Sequence, residues 1–170
     1  MQKLTNKIAT CGMMSALGVV IMLLGHWLSV GVYAAPMGVG LMLVPFGERY
    51  GRRYQVMMWF SISVLSTLMG VGAEQTLFFV LFFGSYPMLR PFFMRLPKLF
   101  RWPVKLAYFN AVAVGIELLV LLVIAPEAVA GWLLWILLVL GNLMFLGYDF
   151  VVPRADLLMK KLKLRFGRRG

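Results

Sequence analysis

Six apolar stretches separated by short links leave this chain few ways to fold. They cover about 8–28, 31–46, 54–71, 76–89, 106–125 and 132–152. A helix needs about 20 apolar residues to cross a ~30 Å hydrocarbon core, with a working range of about 17 to 25. The first, third, fifth and sixth stretches meet that length directly. The second and fourth are short and carry Pro36 and Pro87, with Pro45 at the end of the second. Short, proline-interrupted spans are tolerated where they face protein or a cavity.

Composition closes the alternatives. Of 170 residues, 62% are hydrophobic and 14% charged, against about a quarter charged in an average soluble domain. Mean hydropathy is +0.88. A soluble globule of this size has too little interior for so much apolar surface, and disorder requires low hydrophobicity. Barrel strands alternate apolar and polar residues over about 10 positions, whereas residues 118–124 are all Leu, Val or Ile. Lys3 and Lys7 resemble the start of a signal peptide, but five more hydrophobic segments follow. The expected fold is therefore all-α: an integral membrane bundle of six transmembrane helices forming a single domain over 1–170. The opening Met suggests a full-length chain.

The charges test that count. Lys3 and Lys7 precede the first span. Arg49, Arg52 and Arg53 lie between the second and third. Arg90, Arg95, Lys98, Arg101 and Lys105 lie between the fourth and fifth. The tail holds Arg154, Lys160, Lys161, Lys163, Arg165, Arg168 and Arg169. These four groups contain all 17 Lys and Arg of the chain. With six crossings all four fall on one side, and the positive-inside rule makes both termini cytoplasmic. The net charge of +11 is thus explained by topology, and no nucleic-acid partner is expected. The expected location is a bacterial cytoplasmic (inner) membrane.

Two basic stretches, about 90–105 and 154–166, interleave cations with Phe, Leu, Met and Trp. They are expected to lie as amphipathic segments in the inner interface, held to anionic lipid or docked to a partner.

Ionisable and amide groups within spans are costly and have a reason. Asn110 and Glu117 on the fifth span, and Asn142 and Asp149 on the sixth, are each seven apart and share a helix face. Counting depth from the cytoplasmic ends of these antiparallel spans predicts two contacts, Asn110 with Asp149 and Glu117 with Asn142. They are read first as interhelical glue. The functional reading is that Glu117 lines a cavity and meets a cationic or hydrogen-bonding solute. Asp149, five residues before Arg154, is also placed to pair with a nearby basic residue. On the opposite side, His26, Trp27, Tyr33, Glu74, Gln75, Glu127, Trp132 and Trp135 offer aromatic and polar groups. Trp and Tyr at that depth serve as interface belts, and as a group these residues can close over a small molecule. Tyr33, Glu74, Gln75, Glu117, Trp132, Trp135 and Asn142 are the candidate substrate-binding residues.

The first span also carries small-xxx-small patterns, Gly12 with Ala16 and Cys11 with Ser15, which let another helix approach closely. Nucleophile elbow, P-loop and paired histidine ligands are absent from the sequence. One Cys and one His build no disulfide framework or zinc site. Neither catalysis nor a cofactor is expected.

The Ala/Gly-rich opening of the first helix, from Lys7 through Ala9, Gly12 and Ala16 to Gly18, and the Gly47-Glu48-Arg49-Tyr50-Gly51 turn are the residues on which a resemblance rests. With the six-span count, they make the chain similar to the substrate-binding S components of energy-coupling-factor vitamin transporters. The resemblance covers most of the chain and is one of architecture. It implies capture of a vitamin-like solute from outside in a cavity among the fourth to sixth spans, and docking to a transmembrane coupling subunit served by cytoplasmic ATPases. Carried over, that contact uses Ala9, Gly12 and Ala16, of which Gly12 and Ala16 fit the four-residue step. The competing reading is a non-transporting accessory or scaffold protein whose basic inner face recruits a partner or lipid. A small multimeric channel or exporter is the third.

Overall fold

The computed structural model describes residues 2–28, 33–123, 138–154 and 157, and among these the chain is helical apart from short turns. Helix α1 spans Gln2–Trp27, α2 Ala34–Tyr50, α3 Arg52–Leu68 and α4 Ala73–Phe78. A π-helical segment, Phe79–Phe83, leads to α5, Tyr86–Phe93, and then comes α6, Lys98–Val123. The last described helix, α7, covers 138–154. Among the described residues three stretches are long and apolar enough to cross a membrane: Thr5–Trp27, Ala73–Phe93 and Leu99–Leu119. The chain is a membrane protein on that count. Its outward faces, with Met13, Leu17, Leu24, Phe60, Leu118 and Leu143 exposed, are apolar surfaces suited to lipid.

Two cores share one wall. In the first, Val19 and Met22 of α1, Val39 and Leu43 of α2, and Met58 and Ile62 of α3 pack with Phe79. In the second, Phe82, Phe83 and Tyr86 meet Phe109 and Ile116 of α6 and Phe145 and Tyr148 of α7. The π-helical segment thus supplies Phe79 to one core and its last two phenylalanines to the other. The wider winding closes with the Gly84 N–H on the Phe79 carbonyl, 2.8 Å. Its cause is downstream. Pro87 has no N–H and its ring crowds the carbonyl four residues back, so Phe83 O loses its helical partner. The Tyr148 hydroxyl donates to that oxygen at 2.8 Å. Leu81 O is met by the Ser85 hydroxyl at 2.8 Å and the Tyr108 hydroxyl at 2.7 Å. Backbone groups freed within an apolar environment are in this way satisfied by neighbouring side chains.

Gly40 lets α2 reach this wall, since a Cβ there would collide with Phe83 O and stand 2.7 Å from the Tyr148 hydroxyl. Gly51 links α2 to α3 alone, at φ 98° and ψ 164°, a backbone conformation open to glycine. Gly47 clears the space into which Gln55 folds, so that its amide reaches Leu43 O at 3.0 Å.

The contacts sort the ends of the bundle. Near the start of α1, Lys7 lies 5.8 Å from the Tyr54 ring centroid and Cys11 Sγ donates to Tyr54 O at 3.8 Å. At the other end, the Gly72 N–H meets His26 Nδ1 at 3.3 Å and Tyr33 donates to Glu74. His26, expected in a loop, instead stands in the last turn of α1 and ties that helix to the α3–α4 link.

The basic stretch 90–105 departs from expectation. It is no single surface segment: α5 ends at Phe93, a turn follows, and α6 begins at Lys98. α6 thus starts two turns before the expected span, and Lys105, counted with the loop, is 3% exposed inside the helix bundle. Of the stretch 154–166, residues 155, 156 and 158–166 lie outside the described residues.

Candidate functional site

Phe109, Ala113 and Glu117 recur every four residues along α6 and form one stripe. Opposite them stand Leu138, Gly141 and Met144 of α7, with Tyr33 at the start of α2, Phe78 of α4 and Phe83 of the π-helical segment. Together these residues enclose a cavity of about 180 Å³. It lies toward the end of the bundle that carries Tyr33 and Glu74, away from the basic links. An apolar cavity of about 150 Å³ is enough to take up benzene, so there is room for a single ring with a short tail.

The walls are fixed by packing. The Phe109 ring stacks on Phe145 with centroids 5.2 Å apart and planes 6° from parallel. Gly141 makes that position available, because a Cβ there would stand 3.0 Å from the Phe109 ring edge. Tyr33 meets Phe78 edge to face at 5.2 Å, a favoured aromatic geometry. The Tyr33 hydroxyl donates to Glu74 Oε1, which ties the entry of α2 to the first turn of α4 at the rim. Glu117 is the cavity's carboxylate, half-buried among apolar walls.

The expected polar contacts between the last two spans are corrected by the register. Asn110 pairs with Asn142, not with Asp149. The two amides exchange hydrogen bonds at 3.2 and 2.9 Å, and each also donates to the carbonyl four residues before it. Asn142 therefore belongs to the α6–α7 seam and not to the cavity, and Glu117 does not bond to it. The reason is the true start of α6 and the packing of Phe109 on Phe145, which shift the pairing by about two helical turns from the depth count. Asn142→Ala is expected to cost about 0.6–2 kcal/mol, read as a lower unfolding midpoint in detergent.

Asp149 does find a basic partner, but it is Lys105. Lys105 Nζ stands 2.8 Å from both carboxylate oxygens, and the Tyr86 hydroxyl donates to Oδ1. Arg154 instead lies 3.7 Å from the Phe150 ring centroid. Gln75 also moves out of the candidate site: it is 1% exposed, and its amide donates to Met22 O at 2.8 Å, facing α1. Trp132 and Trp135, with Glu127, lie outside the described residues. Of the expected binding residues, Tyr33, Glu74 and Glu117 are brought together. The depth count could not find Phe78, Phe83, Phe109 and Ala113, although the four-residue spacing from Phe109 to Glu117 is visible in the sequence.

On α1 the two small-residue patterns part. Cys11, Ser15 and Gly18 face α2 and α3, whereas Ala9, Gly12 and Ala16 are exposed. A Cβ on Gly12 would meet nothing within 4 Å. Among the described residues no group of three or more His, Cys, Asp or Glu is placed to hold a metal ion. No protein family, curated protein or solved structure matches this chain.

Proposed function

We propose that the chain is the membrane-embedded solute-binding subunit of a multi-component ATP-driven uptake transporter. In this reading six segments cross a bacterial inner membrane with both termini cytoplasmic, and a small vitamin-like molecule is captured from the outer side. The observation that carries the reading is the cavity between α2, α4, α6 and α7. Its aromatic walls and the Glu117 carboxylate have the form of a small-molecule site, at the end of the bundle away from the basic links. The exposed Ala9–Gly12–Ala16 face supports docking to a transmembrane helix of a coupling subunit, because small residues allow close helix approach. Cytoplasmic ATPases are a further partner, since the sequence has no nucleotide-binding motif of its own.

The test is purification from native membranes in mild detergent. A small molecule retained in proportion to the protein, identified by mass spectrometry, together with co-purifying ATPase subunits, is the expected result. Absence of both overturns the reading. In a companion test on a Cys11→Ser background, Arg95→Cys is expected to react with an impermeant thiol reagent only after the membrane is opened.

The alternative, a non-transporting accessory or scaffold protein, is favoured by a second cavity of about 200 Å³ lined by Glu48, Arg52, Gln55, Pro87 and Arg90. It belongs to the basic end. Co-purification of a peripheral protein or anionic lipid without a small molecule would select that reading.

A further inference from the structure

We infer that the cavity between α2, α4, α6 and α7 selects a small organic cation: a protonated amine or ammonium carried on an apolar, ring-sized body. The inference rests on the reading of this cavity as a solute site and names the class of solute.

Three observations lead to it. Glu117 lines the cavity, and among the described residues it forms no hydrogen bond or ion pair. Glu74 stands at the rim, held by Tyr33, and adds a second carboxylate to the same end. The sequence supplies no Lys or Arg to offset them: none occurs in 8–48, 54–89 or 106–153. A charged carboxylate in an apolar setting is costly unless paired, and a cationic occupant supplies the counter-charge that no Lys or Arg of these segments provides. The walls fit the same chemistry. Tyr33, Phe78, Phe83 and Phe109 present four aromatic rings, whose electron-rich faces attract ammonium groups. An anionic solute would meet two like charges and no cation. A neutral donor can hydrogen-bond Glu117 but would leave its charge uncompensated.

The volume of about 180 Å³ suits three probes of one shape and different charge: 2-phenylethylammonium, 2-phenylethanol and 3-phenylpropanoate. Each is measured by equilibrium dialysis against the full chain in phosphatidylcholine nanodiscs, whose headgroups carry no net charge. The ammonium is expected to bind at least about 10-fold tighter than the alcohol, the value of a charge-assisted hydrogen bond, and the carboxylate not measurably. Glu117→Gln is expected to bring the ammonium down to the alcohol's affinity and leave the alcohol unchanged, with an unaltered thermal midpoint. Glu74→Gln is expected to produce a smaller loss of the same sign.

Equal or tighter binding of the alcohol or the carboxylate overturns the cation assignment while leaving a solute site in place. So does ammonium binding that survives both substitutions. Failure of all three probes to bind removes the assignment and the solute-site reading together.

Discussion

Asp149→Leu, with Lys105 left in place, is expected to lower the free energy of unfolding by about 3–5 kcal/mol, the cost of removing one partner from a buried ion pair. Lys105 is 3% exposed and Asp149 6%, so the orphaned ammonium has no route to water. The pair also joins three elements. Lys105 on α6 contacts both oxygens of Asp149 on α7, and Tyr86 at the start of α5 donates to one of them. The Trp102 ring lies 5.3 Å from the ammonium and keeps its remaining surface covered. The double variant Lys105→Met with Asp149→Leu is expected to recover most of the loss, because replacing both charges removes the desolvation penalty along with the attraction. Unfolding in detergent, followed by circular dichroism, reads both effects. A neutral single variant would mean that the pair is open to water.

Gly12→Leu and Gly18→Leu are expected to give opposite results although they lie on one helix. At Gly18 a Cβ would stand 2.7 Å from Ile62 Cδ1 and 3.2 Å from Val39 Cγ1. Overpacking the α1–α2–α3 core in this way costs about 1–3 kcal/mol, and the unfolding midpoint should fall. At Gly12 a Cβ meets nothing within 4 Å, so leucine is accommodated and the midpoint should hold. What Gly12→Leu should abolish is co-purification of the proposed coupling subunit, because the bulk stands where a partner helix would approach. Loss of the partner without loss of stability separates an intermolecular face from an intramolecular one. Retention of the partner would remove the Ala9–Gly12–Ala16 face from the docking proposal.

The membrane setting and the helical class were legible in the chain, since unbroken apolar runs leave no alternation for strands and no polar surface for water. A link between the second and third stretches was legible too, but the turn read at Gly47–Gly51 narrows to Gly51, because α2 runs on through Tyr50. Glu117 stood out because a carboxylate within an apolar run is rare. Less was legible where two helices had to be matched to each other. Spacing places Asn110 and Glu117 on one face of α6, and Asn142 and Asp149 on one face of α7, but it does not say how far one helix slides along the other. Counting from the cytoplasmic ends gave Asn110 the wrong partner.

Lys105 is the sharpest case of that division. Its place among five basic residues between two apolar runs marks it as a loop cation, and the turn that ends at Pro97 shows instead that the helix starts before it. Only packing decided that it would be drawn inward to Asp149. By itself the sequence determined which segments leave water and which links carry the charge, because transfer of side chains from water is summed along the chain. The tertiary structure decided register, the π-helical winding before Pro87, and the joining of Tyr33, Phe83, Phe109 and Glu117 around one cavity. Those depend on contacts between residues far apart in the chain, where a shift of one turn exchanges every partner.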